Sequence, residues 1–424
     1  MFLDHEWLMQ QGPDAMLLYA VGTAFARRPD TVAVAVSGGG DSMALLDLAI
    51  RAAAQQNQTV LAVTVDHGLR PEAAEEARMV AAFCAERGIH HDTLRWDGQA
   101  DGNLMAAARE ARYRLIAQWA LDHDCAHVIL GHTQDDEAET FLMSLARGAG
   151  VNGLAGMDLF PVYGGVRWRR PLMSVPRAEL REYLTRRNIK WVDDPTNDND
   201  KYLRVRTRKL LPQLDAIGLN ADQISSSVHA MKMARSALEH YTIKEADEYV
   251  TVTGGDVILP RNFNRVMPVE IQRRLWVAIL QWIGGGQYAP RTSALFELDT
   301  AILDGRNHTL NGCAVIMKDD KIHVTRELNA VRDLTCATDE IWDRRWRMDG
   351  PHDPALTIAP VGEAGIRQLD DWRSAGFSRS SIISSPAVWD EKTLIAAPLA
   401  GFNDNWTAQI VAPWHPVAKH ALNL

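Results

Sequence analysis

The sequence predicts an α/β protein: a doubly wound parallel sheet, then a helical domain, then a small mixed α+β C-terminal domain. Three observations predict it. Short apolar runs alternate with helical stretches through the first half of the chain. Three consecutive glycines, Gly38-Gly39-Gly40, join the first apolar run to the helix that follows. Polar residues close later runs, Asp66-His67 after one and His132 after another. Soft boundaries divide the chain into residues 1–215, 216–330 and 331–424.

Taken in order, Thr31–Val36 reads as a strand and Ser42–Ala54 as a helix. Val60–Val65 is a strand, and Pro71–Arg87 is helical with Pro71 suited to a first turn. His91–Trp96 is a weaker strand pattern, followed by a helix over Asn103–Leu121 with Asn103 as its N-cap. His127–Leu130 is a short strand, and Asp135–Leu145 is helical up to Arg147-Gly148-Ala149-Gly150. Strands separated by helices of this length imply a parallel sheet covered on both faces. Tyr163-Gly164-Gly165 is a tight turn, Ser174–Arg187 a helix with Pro176 near its start, and Trp191–Tyr202 a polar loop. Beyond about residue 216 the pattern is mostly helical. Hairpins interrupt it at Tyr249–Leu259, turning on Gly254-Gly255, and around Thr309–Val324, turning near Asp319-Asp320. The tryptophans of "RRLWVAILQWI", Trp276 and Trp282, sit at helical spacing and belong to a core.

With 424 residues and 46% hydrophobic content, the chain is long enough for two or three real cores. No apolar run approaches the roughly 20 residues of a membrane span. The start, MFLDHEWLMQ, has no basic segment followed by an apolar one, so no secretory signal is expected and the setting is expected to be cytoplasmic. The four cysteines are far apart, with no metal-ligand or redox spacing. A net charge of −9 argues against a general nucleic-acid coat protein, yet basic residues outnumber acidic ones between Arg147 and Lys209. A solvated helical face and an anionic partner both account for that run.

The stretch "VAVSGGGDSMALL", Val34–Leu46, lacks the Lys-Ser or Lys-Thr of a Walker A loop and the third glycine of a dinucleotide fingerprint. Ser37-Gly38-Gly39-Gly40-Asp41-Ser42 still suits a pyrophosphate, because glycines let backbone N–H groups face an anion and hydroxyls add donors. An Asp among phosphates needs a cation, so Asp41 implies Mg²⁺. A turn with an Asp/Ser cap would not need three glycines. In a parallel sheet this loop, Asp66-His67 and His132 would meet beyond the C-terminal strand ends.

Ser37–Ser42 resembles the PP-loop of the N-type ATP pyrophosphatases, which cleave ATP to AMP and pyrophosphate. "VDHGLRPEAAEEAR" (Val65–Arg78), "NLMAAAREARY" (Asn103–Tyr113), "LGHTQDDEAETFLMSLARGAGVNGLAGM" (Leu130–Met157) and "WVDDPTNDNDKYLRVRTRKLLPQL" (Trp191–Leu214) follow in order. Together they resemble the tRNA(Ile)-lysidine synthetases, closely over about residues 30–215, loosely in the helical segment and only in general character after about residue 340. The resemblance implies a PP-loop ATPase fold of the adenine nucleotide alpha hydrolase type and an ATP-dependent carbon–nitrogen ligation. ATP adenylates O2 of the wobble cytidine, position 34, of a CAU-anticodon tRNA(Ile), and free L-lysine displaces AMP to give lysidine.

On that resemblance Ser37, Gly38, Gly39, Gly40, Asp41, Ser42, Asp66 and His67 would hold ATP, with Asp41 on Mg²⁺. Asp136 and Glu139, three apart on one helix face, would handle lysine, and His132 would contact ATP or the reacting centre. Arg109 and Arg112 would stabilise adenylate and pyrophosphate charge. Arg147, Arg204, Arg206 and Arg208 suit tRNA contact, although Val205 stands where the family usually has Asn. Residues 216–330 and 331–424 would also contact tRNA, and a homodimer stays open. No Cys-x-x-Cys pair of a related thiolase is present, and the chain begins Met1-Phe2, without the cysteine of a glutamine amidotransferase. An ATP-binding regulator or an RNA-binding protein without chemistry would keep the glycine loop but would not explain the clustered carboxylates.

Overall fold

Alternating β-branched and small residues in the first half build one twisted sheet. The computed structural model describes residues 4–25, 30–68, 72–96, 98, 104–158, 161–193, 199–286, 289–402 and 405–417. Pro71, Asn103 and the middle of the 191–202 loop lie outside these residues. The chain divides into two compact units, residues 1–235 and 236–422.

In the first unit six strands, β1 (Thr31–Ala35), β2 (Thr59–Asp66), β3 (His90–Arg95), β4 (His127–Leu130), β5 (Val162–Tyr163) and β6 (Val166–Arg169), form one sheet in the order β3-β2-β1-β4-β6-β5. All neighbours are parallel except the short β5–β6 hairpin. Its helices include α1 (His5–Gln10), α2 (Ala15–Gly22), α3 (Gly40–Gln56), α4 (Ala73–Ala85), α5 (Leu104–Asp122), α6 (Gln134–Leu145), α7 (Val151–Leu154), α8 (Arg177–Arg186) and α9 (Leu203–Leu214).

The two sheet faces follow from residue parity. Val32, Val34, Val60 and Ala62 pack with α2, α3, α4 and α8. Ala33, Val63, Val128 and Leu130 pack with Tyr113, Ile116 and Ala120 of α5. Burying both faces explains why β1 reads TVAVA, with no polar residue after its first. Strand order reverses between β1 and β4, so the segments after these two strands flank the switch point where doubly wound sheets bind ligands.

The second unit carries the two expected hairpins. Gly254 and Gly255, at φ 54° and 85°, close β7 (Thr251–Thr253) onto β8 (Asp256–Pro260), a two-residue turn that demands positive φ. With β9 (His308–Leu310), β10 (Cys313–Lys318) and β11 (Lys321–Arg326) they join in one antiparallel sheet, β7-β8-β11-β10-β9. The segment is mainly helical around these hairpins, with Val269–Gly284 and Thr292–Leu303 packed against the sheet. Trp276 is fully buried there against Phe263, and Trp282 donates its indole N–H to the Ala412 carbonyl at 2.9 Å. A second sheet uses 336–337, 356–360, 386–390 and 393–396, beside a pair formed by 346–349 and 407–410. No helix among the described residues is long and apolar enough to cross a membrane.

Four histidines of the first unit, His67, His91, His127 and His132, are held below the ordinary histidine pKa, in each case first by burial. A base with a lowered native pKa stays neutral in the fold while the unfolded chain takes up its proton near pH 6.5. The unfolded state then binds more protons, so stability falls on acidification through that range. Asp41, whose carboxyl burial pushes up, acts in the opposite sense. We expect Tm to fall between about pH 7.5 and about pH 5.5; a flat or rising Tm would contradict neutral burial of these rings.

Candidate functional site

The glycine loop leaves β1 and enters α3 with unequal demands on its glycines. Gly38 has φ +85° and needs glycine for its backbone. Gly39 and Gly40 have ordinary φ, and a Cβ on either would meet only van der Waals contacts, at 3.5 Å and 3.4 Å. The fold itself does not require glycine there, so the absent side chains leave room for something outside the chain, as close approach to a phosphate requires. The loop is fixed from within. Ser42 Oγ accepts from the Ser37 N–H at 3.1 Å and donates to the Gly39 carbonyl at 2.9 Å. The Ser42 hydroxyl, expected to donate to phosphate, is thus engaged inside the loop. Val192 N–H donates to the Gly38 carbonyl at 3.0 Å, pairing the loop with the Trp191–Val192 segment. Gly131, after β4, packs so closely that a Cβ would lie 3.0 Å from the Asp41 carbonyl oxygen.

Helix α6 starts one residue earlier than expected because Thr133 caps it. The Asp136 carboxylate closes a capping box, accepting from Thr133 N–H at 2.8 Å. Its other oxygen accepts from Arg177 Nη2 at 3.0 Å. Arg177 also donates from Nε to Asp41 at 3.0 Å and from its backbone N–H to Asp135 at 2.7 Å, and its Nη1 lies 3.5 Å from Glu139. Glu139 is fully buried, and Arg204 Nε and Arg208 Nε reach it at 2.8 Å and 2.7 Å. Guanidiniums of three arginines surround it. Arg204 and Arg208, expected on tRNA, are therefore paired to Glu139. Arg206, on another face of α9, and Arg147, past α6, are exposed and make no side-chain hydrogen bond or ion pair among the described residues. Arg177 gathers Asp41, Asp136 and Glu139 about one cation and holds its own proton all the more firmly.

A second group is positive. Arg109 and Arg112 of α5 lie over the Tyr113 ring and have no ion-pair partner among the described residues. Burial lowers Arg109 to about 10, and the charges of Arg112, Arg204 and Arg170 add to that. Arg112 Nε and Arg170 Nη2 are buried polar atoms without a hydrogen bond. Arg170 Nε donates to His132 Nδ1 at 2.9 Å, which fixes the neutral imidazole with its proton on Nε2. His132 is thus a neutral hydrogen-bond donor rather than a cation. Asp66 is buried and turns the chain by accepting from Gly68 N–H at 2.9 Å. His67 beside it lies edge-on to Trp96, its Nδ1 unpartnered.

Sequence reasoning missed Arg177, Arg170 and Gly131. Arg177 had a local signal: it is the first residue of α8, where a cation opposes the helix dipole and needs a reason to stay. Arg170 and Gly131 had none, since their importance lies in distant partners. Asp41 and Asp136 both bond to Arg177, and Mg²⁺ ordinarily takes one or two carboxylates plus phosphates and water, so a carboxylate beside the glycine loop fits that ion.

A family model described as a PP-loop domain matches residues 17–214. A tRNA(Ile)-lysidine synthase of Ruegeria pomeroyi is 42% identical over 387 residues, covering 91% of this chain and 92% of that relative. One from Wolbachia pipientis wMel is 35% identical over 386 residues, covering 88% and 89%. Among solved structures, the U34-tRNA thiolase NcsA from Methanococcus maripaludis matches with a TM-score of 0.44 at 18% identity, over 52% of this chain and 79% of that one. With that relatedness running along nearly the whole length of both chains, and a glycine loop at the switch point of a doubly wound sheet, the chain belongs to the tRNA(Ile)-lysidine synthase family.

Proposed function

We propose that this enzyme converts the wobble cytidine of a CAU-anticodon tRNA(Ile) to lysidine, using ATP and free L-lysine. O2 of the base attacks the α-phosphate of ATP and pyrophosphate leaves. The lysine ε-amine then attacks C2, AMP leaves, and a base takes the proton. The observation that carries the reading is the pairing of two opposite poles at one sheet edge. Arg112 and Arg170, with buried N–H groups that make no hydrogen bond, and the buried Arg109 beside them suit the phosphates. Asp41, Asp136 and Glu139 converge on a single cation.

Roles follow from the poles. Ser37 to Ser42, with Asp66 and His67, frame the ATP site. Mg²⁺, held on Asp41, would neutralise charge on the departing pyrophosphate. His132 presents its Nε2–H to the nucleotide or the base. Asp136 and Glu139 receive the lysine ammonium, which reaches them by exchanging with the guanidinium of Arg177 now seated there. Arg204 and Arg208 keep Glu139 in place, while the exposed Arg147 and Arg206 meet tRNA phosphates. Residues 216–330 and 331–424 extend the tRNA-binding surface.

Purified protein is incubated with ATP, isotope-labelled lysine and CAU tRNA(Ile). Label is expected in the tRNA, dependent on ATP and lost when the wobble cytidine is replaced. ATP cleavage with no label in any tRNA would contradict the assignment.

Glu139→Gln separates the two half-reactions. It removes one charged hydrogen bond, worth about 1.5–3 kcal/mol, so the lysine KM should rise roughly ten- to a hundredfold. Lysine-free, tRNA-dependent pyrophosphate release should persist, and adenylated tRNA should accumulate. An unchanged lysine KM with slowed pyrophosphate release would place Glu139 on the ATP side.

A further inference from the structure

Far from the nucleotide edge, the start of β3 meets the end of α5. His90 and Asp92 are two apart on a strand and project from one face. Leu94, next in that series, packs into the core under α5. His123 follows Asp122, the last residue of α5. His90 Nε2 lies 2.9 Å from Asp92 Oδ2, and His123 Nε2 lies 3.6 Å from the same oxygen. All three ligand atoms lie within 4.8 Å of one another, and no other such trio of His, Cys, Asp or Glu occurs among the described residues.

We propose that His90, Asp92 and His123 form a binding site for a divalent late-transition-metal ion, best matched by Zn²⁺. Ligands about 2.0–2.2 Å from tetrahedral Zn²⁺ stand roughly 3.2–3.6 Å apart, close to the spacing here. The second layer is also in place. His123 Nδ1 donates to the Trp119 carbonyl at 2.8 Å, which puts the lone pair on Nε2, facing Asp92. Trp119 Nε1 donates to Asp92 Oδ2 at 2.8 Å and orients the carboxylate. Two imidazoles and one carboxylate favour zinc-like ions over Mg²⁺ or Ca²⁺, and the lack of thiolate disfavours Cu(I). The side chains of His90, Asp92 and His123 are 50%, 40% and 33% exposed, so the ion has an entry path and water completes its shell.

The site has a structural use. It clips edge strand β3, which has a single neighbour in the sheet, to the C-terminal end of α5. The same helix carries Arg109 and Arg112 toward the nucleotide edge. Strand β3 begins at this end, whereas the glycine loop and His132 lie beyond the C-terminal ends of their strands, so the two sites are separate.

The test uses the full chain without a histidine tag, stripped with chelator. Zn²⁺ is titrated against a competing fluorescent indicator, and Co²⁺ is followed by visible absorption. One equivalent of Zn²⁺ should bind, Tm should rise with it, and Co²⁺ should show the intense bands of four- or five-coordination. His90→Gln and His123→Gln should each weaken Zn²⁺ binding by roughly tenfold or more. His90 is half exposed, so its substitution leaves the fold intact, and the wild-type Co²⁺ spectrum does not depend on any variant. Absence of stoichiometric binding, a Co²⁺ spectrum like that of the hydrated ion, or wild-type affinity in both variants would overturn the proposal.

Discussion

The nucleotide edge depends on one guanidinium. Arg177 bonds to the loop after β1 through Asp41 and to the helix after β4 through Asp135 and Asp136. It also approaches Glu139, which Arg204 and Arg208 tie to α9. Four segments distant in sequence are thereby held in one arrangement. Breaking a buried ion pair by removing one partner typically costs about 3–5 kcal/mol, because the remaining charge is stranded. The loop's position is consequently an electrostatic matter as much as one of packing. Gly131 completes it by letting the β4 end lie against the Asp41 backbone.

The same arrangement gives the site its chemical polarity. On one side, Arg112 and Arg170 carry buried N–H groups without a hydrogen bond. On the other, carboxylates are paired with the guanidinium of Arg177. His132 stands beside the positive group, neutral because Arg170 occupies its Nδ1. A reaction that joins a polyphosphate and an amine needs both poles within reach. Arg177 is bonded to the carboxylates of the negative one.

Features with a local physical cause were legible in the sequence. The glycine loop, the alternation of strands and helices, and the Gly254-Gly255 turn all declare themselves through backbone demands that neighbours along the chain reveal. His132, Asp136 and Glu139 were legible through motif and helical spacing, and the structure brings them to one edge. Arg204 and Arg208 were legible as basic residues but not as partners of Glu139, since a charge run looks the same whether it faces solvent or a buried carboxylate. Arg177 was hidden among a dozen basic residues, although its place at a helix N-terminus was the anomaly to notice. Both hairpins after residue 216 were legible, but not that they pair with each other across 60 residues, from β8 at 256–260 to β11 at 321–326.

The central claim is that Asp41, Asp136 and Glu139 form a cation site filled by Arg177. Its most direct test is the Mg²⁺ dependence of Tm, without ATP, for the wild type and Arg177→Met. The wild type should show a small Mg²⁺ response. A lowered Tm is expected in the variant that Mg²⁺ restores saturably, because the ion then offsets the charge of the carboxylates the guanidinium held. A variant whose Tm is unchanged, or is lowered without responding to Mg²⁺ more than the wild type does, would contradict it.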